Sequence, residues 1–277
     1  MPVISMRLRG VLLLQHMMGR VAVFILAPIY FAIIRLMGYR IRNLKQIREK
    51  CTRHFASNKG PLLVCANHLT MVDSLILTYT MLSMFRHMTH YEWVPWNLPE
   101  RKNFQKNIIL TVLCYLAKCI PINRGGSREE MKETLDQCSH LLECRQALLI
   151  FPEGGRSRTG IVNRESFSYG VGRFVKDFPD CSIMCIYLRG DGQRTYSSVP
   201  KFGEHFTATV EFMQPQLTTE NGLRAQRDYA EQIINRLANM EEAYFNAHRQ
   251  RHCGSDRSGE QGKESEYAVH QPRFHLR

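Results

Sequence analysis

Acidic residues are almost missing from one end of this sequence: the first 50 positions hold a single carboxylate, Glu49, against nine Lys and Arg. That segment alone supplies eight of the twelve net positive charges of the chain. Its basic residues flank apolar runs, Val11 to Leu14 and Val21 to Ile34. Nucleic-acid-binding arms are rarely so apolar, so the charge points to an anionic membrane surface and away from nucleic acid. An uninterrupted apolar run of bilayer length is lacking too. Val21 to Ile34 is 14 uncharged residues with Pro28 inside and Arg35 closing it. At ~1.5 Å per residue it covers about 21 Å, short of a ~30 Å hydrocarbon core. The expectation is a re-entrant or interfacial helix pair, broken near Gly19 and Arg20 and lying on the cytoplasmic face, with a buried core helix as the alternative. No small-x-small cleavage site follows the run, which argues against a cleaved signal peptide.

The nine cysteines lack the spacing of a framework. Cys181 and Cys185 are close, but no second pair or His cluster completes a metal site. Several cysteines sit in apolar runs, where the thiol behaves as a small hydrophobe. An odd, unpaired count suits a reducing compartment. No metal or resident cofactor is expected. Internal repeats are absent, and from residue 249 the chain is poor in apolar residues, so 249–277 is expected to be a disordered tail.

What is present is enough for one substantial core: 277 residues, 44% hydrophobic. Apolar runs at Leu62–Ala66, Ala147–Phe151 and Ser182–Leu188 read as buried strands, and His205–Phe212 as a further one. Cys119–Asn123 reads as a strand leading into Arg124–Gly125–Gly126, and Tyr91–Pro95 is a further strand candidate. Helical spacing covers 72–84, 103–118, 127–144, 167–178 and 222–248, with Ser127 and Glu130 forming a capping box. Strands alternating with helices predict an α/β sheet flanked by helices over 51–248, preceded by the basic, apolar helical segment 1–50.

Three polar clusters leave the ends of predicted strands: Asn67–His68 with Asp73, Asn123–Arg124–Gly125, and Glu153 to Arg158. Ligands in open α/β sheets bind beyond the carboxyl ends of strands, so the three form one coherent site. On a single ideal helix, His68 and Asp73 would diverge by about 140°. With His68 in the turn and Asp73 in the first helical turn, the carboxylate can orient the imidazole and leave its other nitrogen to take a proton. The alternative is that both residues are caps. Arg124, Arg156 and Arg158, beside Gly125–Gly126 and Gly154–Gly155, suit phosphate. Glu153 would hold Arg124 or Arg156 by an ion pair, or contact a substrate hydroxyl.

Asn67-His68-Leu69-Thr70-Met71-Val72-Asp73 resembles the N-H-x4-D block of the lysophosphatidic acid acyltransferase family of glycerolipid acyltransferases. Phe151 to Arg158 is similar to its F-P-E-G-T-R-S-R block. Pro121-Ile122-Asn123-Arg124 sits where the family has its Arg-bearing second block, and Ile183 to Leu188 resembles the apolar strand of the fourth. The likeness covers about 55–215, in the family's order. Gly155 replaces the usual Thr, and Cys185–Ile186–Tyr187 replaces the fourth block's proline, which leaves the acceptor open.

The resemblance implies a glycerolipid-acyltransferase-like fold and acyl transfer from acyl-CoA or acyl-carrier protein, as co-substrate, to a hydroxyl. Lysophosphatidic acid is the first acceptor to expect, in phospholipid biosynthesis at a membrane. It implies His68 as general base and Asp73 as its orienter, with Arg124, Glu153, Gly154 and Arg156 on the acceptor side. Rival readings are the same chemistry on another lysolipid, an amino-acid lipid or a lipid-like metabolite, or a catalytically idle lipid-binding membrane protein.

Overall fold

A computed structural model describes the backbone of residues 4–105, 107–216 and 222–267, with side chains through 248 except that of 104. The chain forms two units, Met1–Ala238 and Asn239–Arg277. In chain order the elements are α1 (Met6–Leu36), β1 (Arg40–Ile41), α2 (Leu44–Ser57), β2 (Leu62–Ala66), α3 (Asp73–Met81) and α4 (Met84–Thr89). A 3-10 turn at Tyr91–Trp93 precedes β3 (Trp96–Asn97), α5 (Arg101–Phe104), α6 (Ile108–Leu116), α7 (Arg128–Glu143) and β4 (Ala147–Ile150). The rest is α8 (Gly170–Asp177), β5 (Ser182–Gly190), β6 (His205–Met213) and α9 (Gly222–Tyr267). The second unit contains the later turns of α9, and the expectation of a disordered 249–277 falls on residues whose side chains lie outside the description.

The six strands form one sheet in the order β1-β6-β5-β2-β4-β3. All neighbours run parallel except β5 and β6. The mixed α/β sheet flanked by helices matches the expected class. β2 is central and buried at every residue, and its run of apolar side chains reflects a strand covered on both faces. Leu62, Val64 and Ala66 share one apolar cluster with Ile47, Cys51 and Phe55 of α2 and with Val23, Ala27 and Phe31 of α1. By alternation Leu63 and Cys65 point to the opposite face. α7 packs along β4.

The N-terminal segment differs from expectation. α1 is one continuous helix of 31 residues, unbroken at Gly19–Arg20 and with Pro28 inside it. Gly19 answers to packing rather than to a turn. A Cβ there would lie 2.7 Å from the Leu116 carbonyl oxygen and would overlap the Tyr91 hydroxyl. The missing side chain is what lets α1 close on α6 and the 3-10 turn. Gln15 fixes the same contact by donating from Nε2 to the carbonyls of Tyr115 (2.9 Å) and Cys119 (3.0 Å). β1 and α2 belong to the sheet's own unit, so the division expected between 50 and 51 falls inside α2.

Smaller differences have local causes. The helix expected over 103–118 is split, because Asn107 caps a new one: its side-chain oxygen accepts the Leu110 N–H at 2.8 Å. Cys119–Asn123 makes only isolated bridges, Asn97 to Cys119 and Glu100 to Ile122. Pro121 lacks the N–H that would continue a ladder. The strand expected at Tyr91–Pro95 is replaced by the 3-10 turn and the two-residue β3. α8 starts at Gly170, three residues late, since Ser168 is tied through its N–H to the Pro152 carbonyl (2.8 Å).

Candidate functional site

β2, β4 and β5 run parallel, so the loops leaving their carboxyl ends gather on one edge of the sheet. The loop after β2 begins with Asn67, whose side chain pairs with the backbone of β5. Its Oδ1 accepts the Leu188 N–H (2.8 Å) and its Nδ2 donates to the Leu188 carbonyl (3.0 Å). The amide thus extends the β2–β5 pairing by one position after the backbone has turned away.

His68 comes next, with both of its backbone groups held by the loop after β4. Its N–H donates to Glu153 Oε1 (3.0 Å), and its carbonyl accepts from the Ser157 N–H (2.8 Å). The imidazole lies flat on Phe151, ring centroids 4.0 Å apart. Its Nδ1 is 3.0 Å from Asp73 Oδ2. A carboxylate only accepts, so Nδ1 carries the proton there and Nε2 is the basic nitrogen. Nε2 makes no hydrogen bond among the described residues, and the side chain is 15% exposed.

Asp73, the first residue of α3, is almost fully buried. Its Oδ2 also accepts the N–H groups of Leu69 (2.6 Å) and Thr70 (2.8 Å), and Oδ1 accepts the Thr70 hydroxyl. Four donors on one carboxylate offset its burial and fix the turn between His68 and α3. The five-residue spacing closes because the intervening residues form this turn rather than helix.

The arginines are placed differently from one another. Arg124 donates to the Gly154 carbonyl and forms an ion pair with Glu100 (3.6 Å). Burial draws its pKa down, opposed by the Glu100 carboxylate. Arg156 donates to the Ser197 carbonyl (3.1 Å) and lies over the Tyr196 ring at 5.4 Å. Glu153, expected to hold Arg124 or Arg156 or to contact a substrate hydroxyl, also meets the backbone of His68. Gly154 sits at φ +70°, a left-handed conformation that side chains rarely adopt, and this turn reverses the chain between Glu153 and Arg156.

His68, Asp73, Arg124, Glu153, Gly154 and Arg156 thus gather around one edge of the sheet. Sequence reasoning missed the loop after β5. Ser197 donates its N–H to the Leu69 carbonyl (3.0 Å), and the Ser198 carbonyl accepts the Met71 N–H (3.1 Å), so this loop is laced to the turn that carries the candidate base. Its signal was the same as for the other clusters, a polar, Gly-containing stretch at a strand exit. Glu100 and Phe151 were also missed as partners, since nothing local ties them to Arg124 and His68. Among the described residues no three His, Cys, Asp and Glu side chains gather as a metal-ligating group.

Comparison with known families returns a match to the family described as Acyltransferase, over residues 38–189. Comparison with curated proteins returns no match.

Proposed function

Because this chain belongs to the acyltransferase family, that of lysophosphatidic acid acyltransferase-like glycerolipid acyltransferases, we propose that it moves a fatty acyl group from acyl-CoA or acyl-carrier protein to a hydroxyl of a lysophospholipid, with lysophosphatidic acid as the first acceptor. The family supports O-acyl transfer in glycerolipid metabolism; donor, acceptor and residue roles belong to the proposal.

The observation that carries it is the state of one imidazole. Nδ1 of His68 is occupied by Asp73, the ring is held against Phe151, and Nε2 is left as the acceptor for a proton. In the proposed step Nε2 takes the proton of the acceptor hydroxyl as its oxygen attacks the thioester carbonyl. Asp73 stabilises the imidazolium that forms. The tetrahedral intermediate collapses with cleavage of the C–S bond, and the thiolate leaves with the proton from Nε2. No acyl-enzyme is needed. Arg124, Arg156, Glu153 and Gly154 frame the acceptor side. Arg156, already ordered by Ser197 and Tyr196, offers its guanidinium to the acceptor phosphate.

The proposed reaction takes place at the cytoplasmic face of a membrane. α1 is long and apolar enough to cross one, and only 28% of its most apolar stretch is buried in the protein. The outer face of α1, including Leu13, Val21, Phe24 and Ile25, is exposed, as are Ile108 and Ile109 of the adjoining α6. Such a surface is larger than soluble proteins usually leave open, and fits a bilayer.

Gly155 supports a second reading of the acceptor, as a lysolipid with a larger head group. It lies beside Arg124: a Cβ added at Gly155 would be 3.9 Å from Nη1, in ordinary contact, so glycine leaves open next to the guanidinium the space that the family's Thr fills. Purified full-length protein in detergent, given acyl-CoA and acyl-carrier-protein donors against a panel of lysolipids, tests both readings. Transfer to lysophosphatidic acid supports the first, and transfer only to lysolipids with head groups supports the second. No transfer to any acceptor would sink acyl transfer altogether. For Arg156→Ala the acceptor KM should rise more than the donor KM.

A further inference from the structure

The loop between β5 and β6 has two sides. One is laced to the turn carrying His68 and to Arg156, as described above. The other lines a cavity of about 630 Å³ that opens to solvent and lies among residues 191–204. His68 does not line it. No step of the proposed chemistry uses this space.

Its lining is chemically biased. Gln193 is 8% exposed, and its Oε1 accepts the Gly190 N–H at 2.8 Å. That bond fixes the orientation of the amide, so Nε2 is a donor, yet Nε2 is buried with no acceptor among the described residues. A buried donor of this kind calls for a partner from outside the chain. Arg194 and Lys201 are exposed at the same cavity, and neither side chain makes an ion pair or hydrogen bond with the described residues. Two acids also lie there. Asp191 is neutralised by a bidentate pair with Arg42, at 2.7 and 2.6 Å. Glu204 is turned inward, its Oε1 accepting the Gly192 N–H at 2.9 Å. The balance is positive, more so with Arg156 held at the neighbouring Ser197 carbonyl. Tyr196 and Val199 add exposed apolar surface at the rim.

We propose that this cavity is a second anion subsite, taking the phosphate-bearing end of one of the two substrates while the reacting end lies at His68. The inference rests on the acyl-transfer reading for its substrates, but not for its chemistry. A phosphate would pair with Arg194 and Lys201, as charge-assisted bonds favour, and a small shift of the Gln193 side chain would bring its unpartnered Nε2 to it. Two sources carry that group: the 3′-phospho-ADP portion of acyl-CoA, which leaves the acceptor phosphate at Arg156, and the phosphate of the lysolipid, which would lie in the cavity in place of Arg156. The volume is ample for a nucleotide and more than a lone phosphate fills.

Calorimetric titration of the full chain in detergent, with adenosine 3′,5′-bisphosphate in one arm and glycerol 3-phosphate in the other, separates the sources without needing turnover. One of them should bind the wild type and bind an Arg194→Ala/Lys201→Ala variant about tenfold or more weakly, the loss of two charge-assisted contacts. The same variant should raise the KM of the matching substrate by a similar factor with kcat nearly unchanged. Should the double variant fail to fold, Lys201→Ala alone, changed at an exposed side chain, carries the comparison. If neither probe binds, or both bind variant and wild type equally, the subsite is refuted even where acyl transfer is observed. Conversely, a wild type that binds a probe in this cavity but transfers no acyl group would refute the acyl-transfer reading and leave the subsite standing.

Discussion

His68 and Phe151 lie face to face, with ring centroids 4.0 Å apart and planes 15° apart, although one follows β2 and the other β4. The stack sets the plane of the imidazole, and the bond from Nδ1 to Asp73 sets its rotation within that plane. A ring fixed in both respects presents Nε2 in one direction. General bases depend on such positioning more than on basicity alone.

Replacing the proposed base is the most direct test. His68→Ala should lower kcat by roughly a thousandfold or more, with an unchanged circular dichroism spectrum. Asp73→Asn should lower kcat by about a hundredfold or more through misorientation of the ring. It should also lower stability, by about 2 kcal/mol, since an amide cannot accept from all four donors that Asp73 now satisfies. Initial rates and thermal melts measure both. Near-normal turnover in His68→Ala would remove the residue from the mechanism.

Gly154 tests the backbone of the loop proposed to hold the acceptor. Its φ of +70° is unfavourable for any side chain, though the nearest atom to an added Cβ, Ser168 Cβ, is 3.5 Å away and would not clash. Gly154→Ala should therefore destabilise through conformation alone, by about 1–2 kcal/mol. Because the turn joins Glu153 to Arg156, the acceptor KM should rise with it. A melting temperature equal to wild type would show that the turn can relax.

Stability should fall in mild acid because of His87 in α4. Its Nδ1 donates to the Ser83 carbonyl (2.9 Å), and the ring packs on Phe31 of α1. Burial lowers its pKa from 6.5 to about 4. Between those values the unfolded chain takes up a proton that the native protein does not. The contribution is thus complete above pH 6.5 and is lost as the pH falls toward 4, by up to roughly 3 kcal/mol. Thermal melts from about pH 4 to 8 should show a flatter acid limb for His87→Met than for wild type. Parallel curves would assign the acid loss elsewhere.

Membrane attachment should depend on α6 as well as on α1. Ile108 and Ile109 are 76% and 71% exposed on a helix with no buried residue, so charges there leave the fold intact. Ile108→Glu/Ile109→Glu should lower the vesicle-bound fraction severalfold in flotation with anionic liposomes, because carboxylates oppose both burial and the surface charge. Undiminished flotation would leave α1 as the sole anchor.

Most of the central sheet and the two strongest motifs could be read from the chain alone. Leu62–Ala66, Ala147–Ile150 and Ser182–Gly190 are apolar because both faces of a parallel sheet are covered, and such runs are visible without coordinates. The pairing of His68 with Asp73 was accessible for a similar reason: both lie within one turn, so geometry over five residues constrains it. Contacts between distant segments carry no such local mark. Gly19 reads as a helix break until Leu116 is placed against it. Glu153 reads as a partner for arginine, and its contact with the His68 N–H at 3.0 Å shows only in the fold. The loop after β5 carries the polar, Gly-containing signal of a strand exit, but nothing in it points to His68 until Ser197 is bonded to Leu69 and Arg156. The first depends on which helix packs on α1, the other two on which strand lies beside which, and the order β5-β2-β4 is set by packing across the whole sheet rather than by any one stretch of residues.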